Sequence, residues 1–207
     1  LEFRRVLFRS NSRPLSVGSI GYQSSEAAMK LVADSDVILA LGTRLNSFGT
    51  TPQYGINFFP KNAKLIQNSM NPLDLGAIRP IYAGLIGDCK AVTKQLIEAL
   101  RGKKLSTDSI ARRNQISKEK LAWQEKLKSM SLIDAKKIQP RRAMWEVSRA
   151  ITGDVAIVAD VGNISGSANA YFSNFDRPRR WFGAGSLGGI GVGYPTALGV
   201  KLGLQDV

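Results

Sequence analysis

The chain of 207 residues contains no histidine. That absence removes histidine general acid–base catalysis, Ser-His-Asp triads and His-ligated zinc from its chemistry. Cys89 is the single cysteine. An internal disulfide and a cysteine-cluster metal site are therefore excluded, and a lone thiol suits a reducing cytosol. No apolar run approaches the roughly 20 residues that cross a bilayer as a helix. Internal repeats and low-complexity tracts are also lacking. Acidic residues are scarce: 16 Asp and Glu stand against 29 Lys and Arg, for a net charge of +13.

The basic excess is concentrated between Arg101 and Arg149. It admits a nucleic-acid-binding module or a solvated helix face with a bias toward small anions. No zinc-finger, RNP or homeodomain pattern accompanies it, and its spacing is that of an exposed helix face. The reading is accordingly a protein with neither a nucleic-acid nor a membrane partner.

Length allows one large domain or two small ones. Residues 1–10, Leu-Glu-Phe-Arg-Arg-Val-Leu-Phe-Arg-Ser, match one translated frame of a common sequencing adapter. They are too short and Arg-interrupted for a signal peptide, and are set aside as an artefact. Residues 11–103 alternate strands and helices, which predicts a doubly wound parallel sheet. Asp36–Thr43 is a continuous apolar run suited to a strand buried on both faces, with shorter runs at Ala63–Gln67 and Ala83–Gly87. Ser24 or Ser25 is positioned to cap a helix carrying Ala27, Ala28, Leu31 and Val32. Asp88 caps another carrying Val92, Leu96, Ala99 and Leu100, with Gly102 past its end.

Residues 104–135 read as a basic connecting helix outside the core. Ile116, Trp123, Leu127 and Met130 stand at helical spacing; Trp123 is expected to pack rather than touch a ligand. A new α/β unit spans 136–207. Pro140 opens a helix with Ala143, Met144, Val147 and Ile151 on one face, Gly153 ends it, and Val155–Val161 is a buried-strand run.

The most informative segment is Gly183-Ala-Gly-Ser-Leu-Gly-Gly-Ile-Gly-Val-Gly-Tyr-Pro195, which feeds a helix over Thr196–Leu204. Closely spaced glycines let backbone approach a ligand, and a helix amino end is a ready anion site. Gly183, Gly185 and Gly188 also satisfy G-x-G-x-x-G. That pattern would make the chain an NAD(P)-dependent dehydrogenase only if an apolar strand preceded it. Asn174–Phe182 makes a poor one. A glycine turn that merely permits tight helix packing is the remaining structural alternative.

A strand ending in Asp160-Val-Gly-Asn163, followed by Gly185-Ser-Leu-Gly-Gly-Ile-Gly-Val-Gly-Tyr-Pro-Thr-Ala197, resembles the diphosphate-binding domain of thiamine-diphosphate (ThDP) enzymes. The similarity is to the acetolactate-synthase and decarboxylase branch. Ala40-Leu-Gly-Thr-Arg-Leu45 and Ile66–Pro72 resemble the central domain of the same superfamily. Gly21-Tyr, Ala27-Ala-Met29, Leu39–Asn46, Gln53-Tyr-Gly-Ile56 and Asn169-Ala-Tyr171 resemble the sulfoacetaldehyde acetyltransferase family.

The resemblance implies an α/β protein. A partial doubly wound central domain (11–103) and a basic helical linker (104–135) would precede the start of the diphosphate-binding domain (136–207). It implies a cytoplasmic, homo-oligomeric enzyme taking sulfoacetaldehyde and phosphate as small anionic substrates, with acetolactate synthase or a 2-oxo acid decarboxylase as the near alternative. Val161, Gly162, Asn163 and Ile164 are implied at the diphosphate. Gly188 would accept from the aminopyrimidine amine, beside Gly189. Ile190 would hold ThDP bent so that this amine reaches the C2 proton; an isoleucine that simply packs as core among the glycines is the alternative. Arg179 and Arg180 are candidates for the anionic substrate, by their place before the glycine loop, with a solvated turn over Arg177–Arg180 as the equal alternative.

No catalytic side chain or metal ligand is assigned. The magnesium motif is expected beyond Val207 and the activating glutamate before residue 11, so residues 11–207 alone are expected to be inactive. The acid that precedes Asn-Pro in the central-domain motif is Ser69 here, which weighs against FAD.

Overall fold

A computed structural model describes residues 13–22, 24–103, 109–172, 180–183 and 188–205. The first helix, α1 (Glu26–Ala33), starts where the Ser25 side chain accepts from the Ala28 N–H at 3.2 Å. Glu26 in its first turn complements the positive helix end. Ala27, Ala28, Met29 and Leu31 form its buried side.

Strands β1 (Val37–Ala40), β2 (Lys64–Ser69) and β3 (Ala83–Ile86) pair in parallel in that order, with Leu39 opposite Ile66 and Ile66 opposite Ala83. The predicted Asp36–Thr43 strand stops at Ala40, because Gly42 turns the chain at φ 61°, and its expected burial on both faces is corrected, since Val37 and Leu39 share an exposed face. Helix α2 (Cys89–Leu100) follows, its Asp88 cap accepting from Lys90 and Ala91 N–H at 3.0 and 3.1 Å. Gly102 stands beyond it at φ 74°, a conformation that suits glycine.

Polar side chains close the carboxyl ends of this sheet. Asn68, fully buried, accepts from Gly42 N–H and donates to the Leu85 and Gly87 carbonyls. Gln67 donates to the Thr43 and Asp74 carbonyls and accepts from Gly76 N–H. Ser69 donates to the Asp74 carboxylate at 2.9 Å. These buried groups are satisfied internally, as burial requires.

Helix α3 (Ser109–Ser131) corrects the reading of residues 104–135 as a connector outside the core. Trp123, Leu127 and Ser131, one helical turn apart each, are buried. Trp123 and Leu127 form a single cluster with Ala27 and Tyr171, edged by Tyr54, Met144 and Trp145. Charged pairs hold the same contact at its rim. Glu26 accepts from Lys126, Lys30 approaches Glu119 at 3.8 Å, and Arg112 donates to the Leu31 carbonyl at the end of α1. Most of the helix's residues are polar, so its narrow apolar stripe reads as a surface helix until its partners are known.

Helix α4 (Pro140–Ala150) begins with Pro140 at its first position, as predicted, although Val147 of the expected inner face is exposed. Strand β4 (Ile157–Ala159) is shorter than the Val155–Val161 run. Helix α5 (Asn163–Tyr171) leads from it, and β5 (Trp181–Gly183) returns to pair with β4 in parallel, Ile157 opposite Trp181. Asn174–Phe182, read as a poor buried strand, contributes only Trp181 and Phe182 to this short one, with Trp181 buried against Ala168; residues 174–179 lie outside the described residues. Helix α6 (Gly193–Gly203) starts ahead of Thr196, with Pro195 inside its first turn, where no intrahelical N–H bond is lost. Among the described residues, no helix is long and apolar enough to cross a membrane.

Candidate functional site

In open parallel sheets, ligands lie beyond the carboxyl ends of the strands. At that end of β4 the chain passes through Asp160 and Val161 to Gly162, at φ 146° and ψ 172°, which opens α5. A side chain at Gly162 would meet nothing within 4 Å, so the glycine serves backbone conformation and leaves open space before the helix. Asn163 and Ile164, the first residues of α5, are exposed there. The Asn163 Oδ1 accepts from the Tyr22 hydroxyl at 3.0 Å, a bond between the two halves of the chain. With Oδ1 so engaged, the carboxamide has its N–H donors to offer.

Asp160 turns toward the glycine loop. Its carboxylate accepts from Val161 N–H at 2.6 Å, from Gly191 N–H at 3.1 Å and from Gly193 N–H at 3.1 Å. These bonds, led by that from Val161 and then Gly193, hold its pKa below the usual carboxylate value. Gly193 must lack a side chain, since a Cβ there would lie 2.9 Å from the Asp160 Cβ. The amino end of α6, which the sequence offered as an anion site, is therefore occupied by the protein's own carboxylate.

Gly188 adopts φ 59° and faces open space. Ile190 is 89% exposed, which rules out a core role for it among the described residues. The Asp160 bonds to Gly191 and Gly193 anchor the end of the glycine loop at the carboxyl end of β4, and Ile190 directly precedes the anchored Gly191. Gly185 lies outside the described residues.

Arg180 is placed elsewhere. It is 5% exposed, and its Nε and Nη2 donate to the two Asp154 oxygens at 2.6 Å each. Both residues precede their strands, so this fork sits at the amino end of the β4–β5 pair, opposite the glycine loop. The expectation that Arg180 clamps a substrate is corrected accordingly: the two donors such a clamp uses are committed to Asp154. Arg179 lies outside the described residues.

A cleft of about 650 Å³ adjoins the α5 amino end, lined by Met130, Ile133, Arg141, Asn163, Ile164 and Ser167 among others. Arg141, in the first turn of α4, lines it, with its Nη1 3.5 Å from the Tyr171 hydroxyl. Sequence reasoning passed over Asp160, Tyr22 and Arg141. An acid two residues before a strand-end glycine was the available signal for Asp160. Tyr22 stood in the Gly21-Tyr motif with nothing to tie it to this site, and Arg141 had no signal, because both arrive by packing.

The strand end so built carries the exposed head of α5 with the Asn163 carboxamide, a glycine loop held by the Asp160 carboxylate, and an adjoining cleft lined in part by Arg141; an exposed helix amino end suits a phosphorylated ligand. The family description "Thiamine pyrophosphate enzyme, central domain" matches residues 5–96. "Thiamine pyrophosphate enzyme, C-terminal TPP binding domain" matches residues 160–207, which begin at the Asp160 strand end. The chain belongs to the thiamine pyrophosphate enzyme family.

Among curated proteins of this family, a sulfoacetaldehyde acetyltransferase of Castellaniella defragrans is 39% identical over 92% of this chain and 35% of its own length. One of Alcaligenes xylosoxydans xylosoxydans is 37% identical over 93% of this chain and 35% of its own length. The acetolactate synthase isozyme 3 large subunit of Escherichia coli (strain K12) is 27% identical over 92% of this chain and 32% of its own length. The chain thus spans about a third of the length of the curated relatives it matches.

Proposed function

We propose that this chain is part of a ThDP- and magnesium-dependent acyltransferase that converts sulfoacetaldehyde and phosphate to acetyl phosphate and sulfite. The observation that carries the reading is the Asp160 contact, which anchors the loop that follows Gly188–Ile190 at the carboxyl end of β4, where Val161–Ile164 begin. It is supported by relatives of that name at 34–39% identity, above the 27–29% of the acetolactate synthases.

The residues present fit the cofactor. A side chain at Gly162 or at Gly188 would meet nothing within 4 Å, so backbone at both positions is open to a ligand. Val161, Gly162, Asn163 and Ile164 would hold the diphosphate, through the first amides of α5 and the Asn163 carboxamide. Gly188 and Ile190, with Gly189 between them, would orient the aminopyrimidine. Bound ThDP supplies the carbanion chemistry; the protein contributes binding, orientation and electrostatics. No magnesium ligand is assigned to this chain. Arg141, on the cleft beside Asn163, takes the substrate-anion role from Arg180. The enzyme is read as a cytoplasmic homo-oligomer.

The test is direct. An enzyme carrying this chain, given sulfoacetaldehyde, phosphate, ThDP and magnesium, releases sulfite and forms acetyl phosphate. Acetolactate from pyruvate without sulfite release would move it to the acetolactate-synthase branch. Neither product, with no ThDP binding, would refute the family chemistry for this chain.

A further inference from the structure

Asp160 has no part in the proposed function as stated, yet its contacts tie the two candidate cofactor segments together. The Val161–Ile164 turn follows Asp160 directly in the chain. The glycine loop is distant in sequence, and Asp160 reaches it through Gly191 and Gly193. Three further features fit this contact. Gly191 is at φ 88°, a conformation that suits glycine. The Gly193 position has no room for a Cβ beside Asp160. The negative carboxylate also faces the positive end of α6.

We infer that Asp160 is a positioning residue that latches the Gly188–Gly193 loop to the carboxyl end of β4 and closes the amino end of α6 to anions. This rests on the ThDP reading and deepens it. An anion approaching this strand end finds Gly191 and Gly193 N–H already taken by a carboxylate, whereas Gly162, Asn163 and Ile164 at the head of α5 are exposed. The diphosphate is thereby directed to α5. The loop bearing Gly188 and Ile190 is held at the separation that lets it meet the pyrimidine end of the same molecule. Asp160 itself touches neither.

The experiment compares two ligands on the apo enzyme carrying this chain, by calorimetry with magnesium present: inorganic pyrophosphate, which occupies only the diphosphate subsite, and ThDP, which needs both segments. Asp160→Asn keeps the shape of the side chain but removes its charge and turns one acceptor into a donor. Gly193→Ala breaks the same contact from the other side and leaves the carboxylate in place. Each variant is expected to weaken ThDP about tenfold, the effect of losing one charge-assisted contact set. Pyrophosphate binding should change less than about twofold.

Equal losses for both ligands would overturn the assignment, because Asp160 would then act on the diphosphate end or on the fold. Unchanged ThDP affinity in both variants would also overturn it, as would failure of both variants to fold. Wild-type enzyme that binds pyrophosphate but not ThDP would instead refute the proposed cofactor, and this role with it.

Discussion

Ile190→Ala separates the cofactor role of that side chain from a packing role, because the two predict opposite pairs of outcomes. Full burial of an isoleucine side chain contributes about 1.5–3 kcal/mol. Ile190 is 89% exposed, so truncation forfeits about a tenth of that, roughly 0.2–0.3 kcal/mol, and opens no cavity. The melting temperature should move by no more than about 2 °C. If the side chain holds the cofactor in its reactive conformation, misplacement at the reacting centre lowers turnover on the order of 10²-fold. That is about 2.7 kcal/mol of barrier, some tenfold more than the stability effect. The assay is sulfite release at saturating sulfoacetaldehyde, with phosphate, ThDP and magnesium, alongside a thermal melt and a ThDP titration. Turnover should fall far more than ThDP affinity. Normal turnover would refute the reasoning, and so would a large drop in melting temperature, since it would place Ile190 in a core.

Other outcomes follow from the same contacts. Arg180→Met should cost about 2–3 kcal/mol of stability and leave the substrate KM unchanged, whereas Arg141→Met should raise KM and leave stability nearly intact; urea unfolding and steady-state kinetics would expose the reverse pattern. Trp123→Ala, at the centre of the α1–α3–α5 cluster, should destabilise by about 3–5 kcal/mol, whereas Leu121→Ala on the exposed side of the same helix should cost under about 0.5 kcal/mol. Burial works against the Glu26 charge, but hydrogen bonds from Lys126 and Lys30 outweigh it and hold its pKa below the usual 4.5. A depressed carboxylate stabilises above its unfolded pKa and loses that contribution as pH falls through the folded value. The stability gap between wild type and Glu26→Gln should therefore narrow as pH drops below about 4.5, and a gap independent of pH down to acid unfolding would show that the pairs contribute nothing.

What the sequence by itself determined is what depends on residues close together in the chain. The Ser25 and Asp88 caps, Gly102 beyond α2, Pro140 at the head of α4 and the apolar runs of the parallel strands all follow from local hydrogen bonding and backbone sterics. The motif order around Asp160–Asn163 and Gly185–Ala197 carried the family for the same reason, since close approach to a ligand demands particular backbones in particular order. Tertiary structure alone decided the rest. The α3 stripe became core because α1 and α5 present Ala27 and Tyr171 to it, and a polar helix shows nothing of its partners. Trp181 became strand because β4 offers an edge. An arginine before a glycine loop looks free until a carboxylate some 26 residues upstream claims its fork. The amino end of α6 looks open until Asp160 closes it. A charged side chain's partner is set by where the fold brings opposite charge within about 3 Å, and spacing along the chain does not encode that distance.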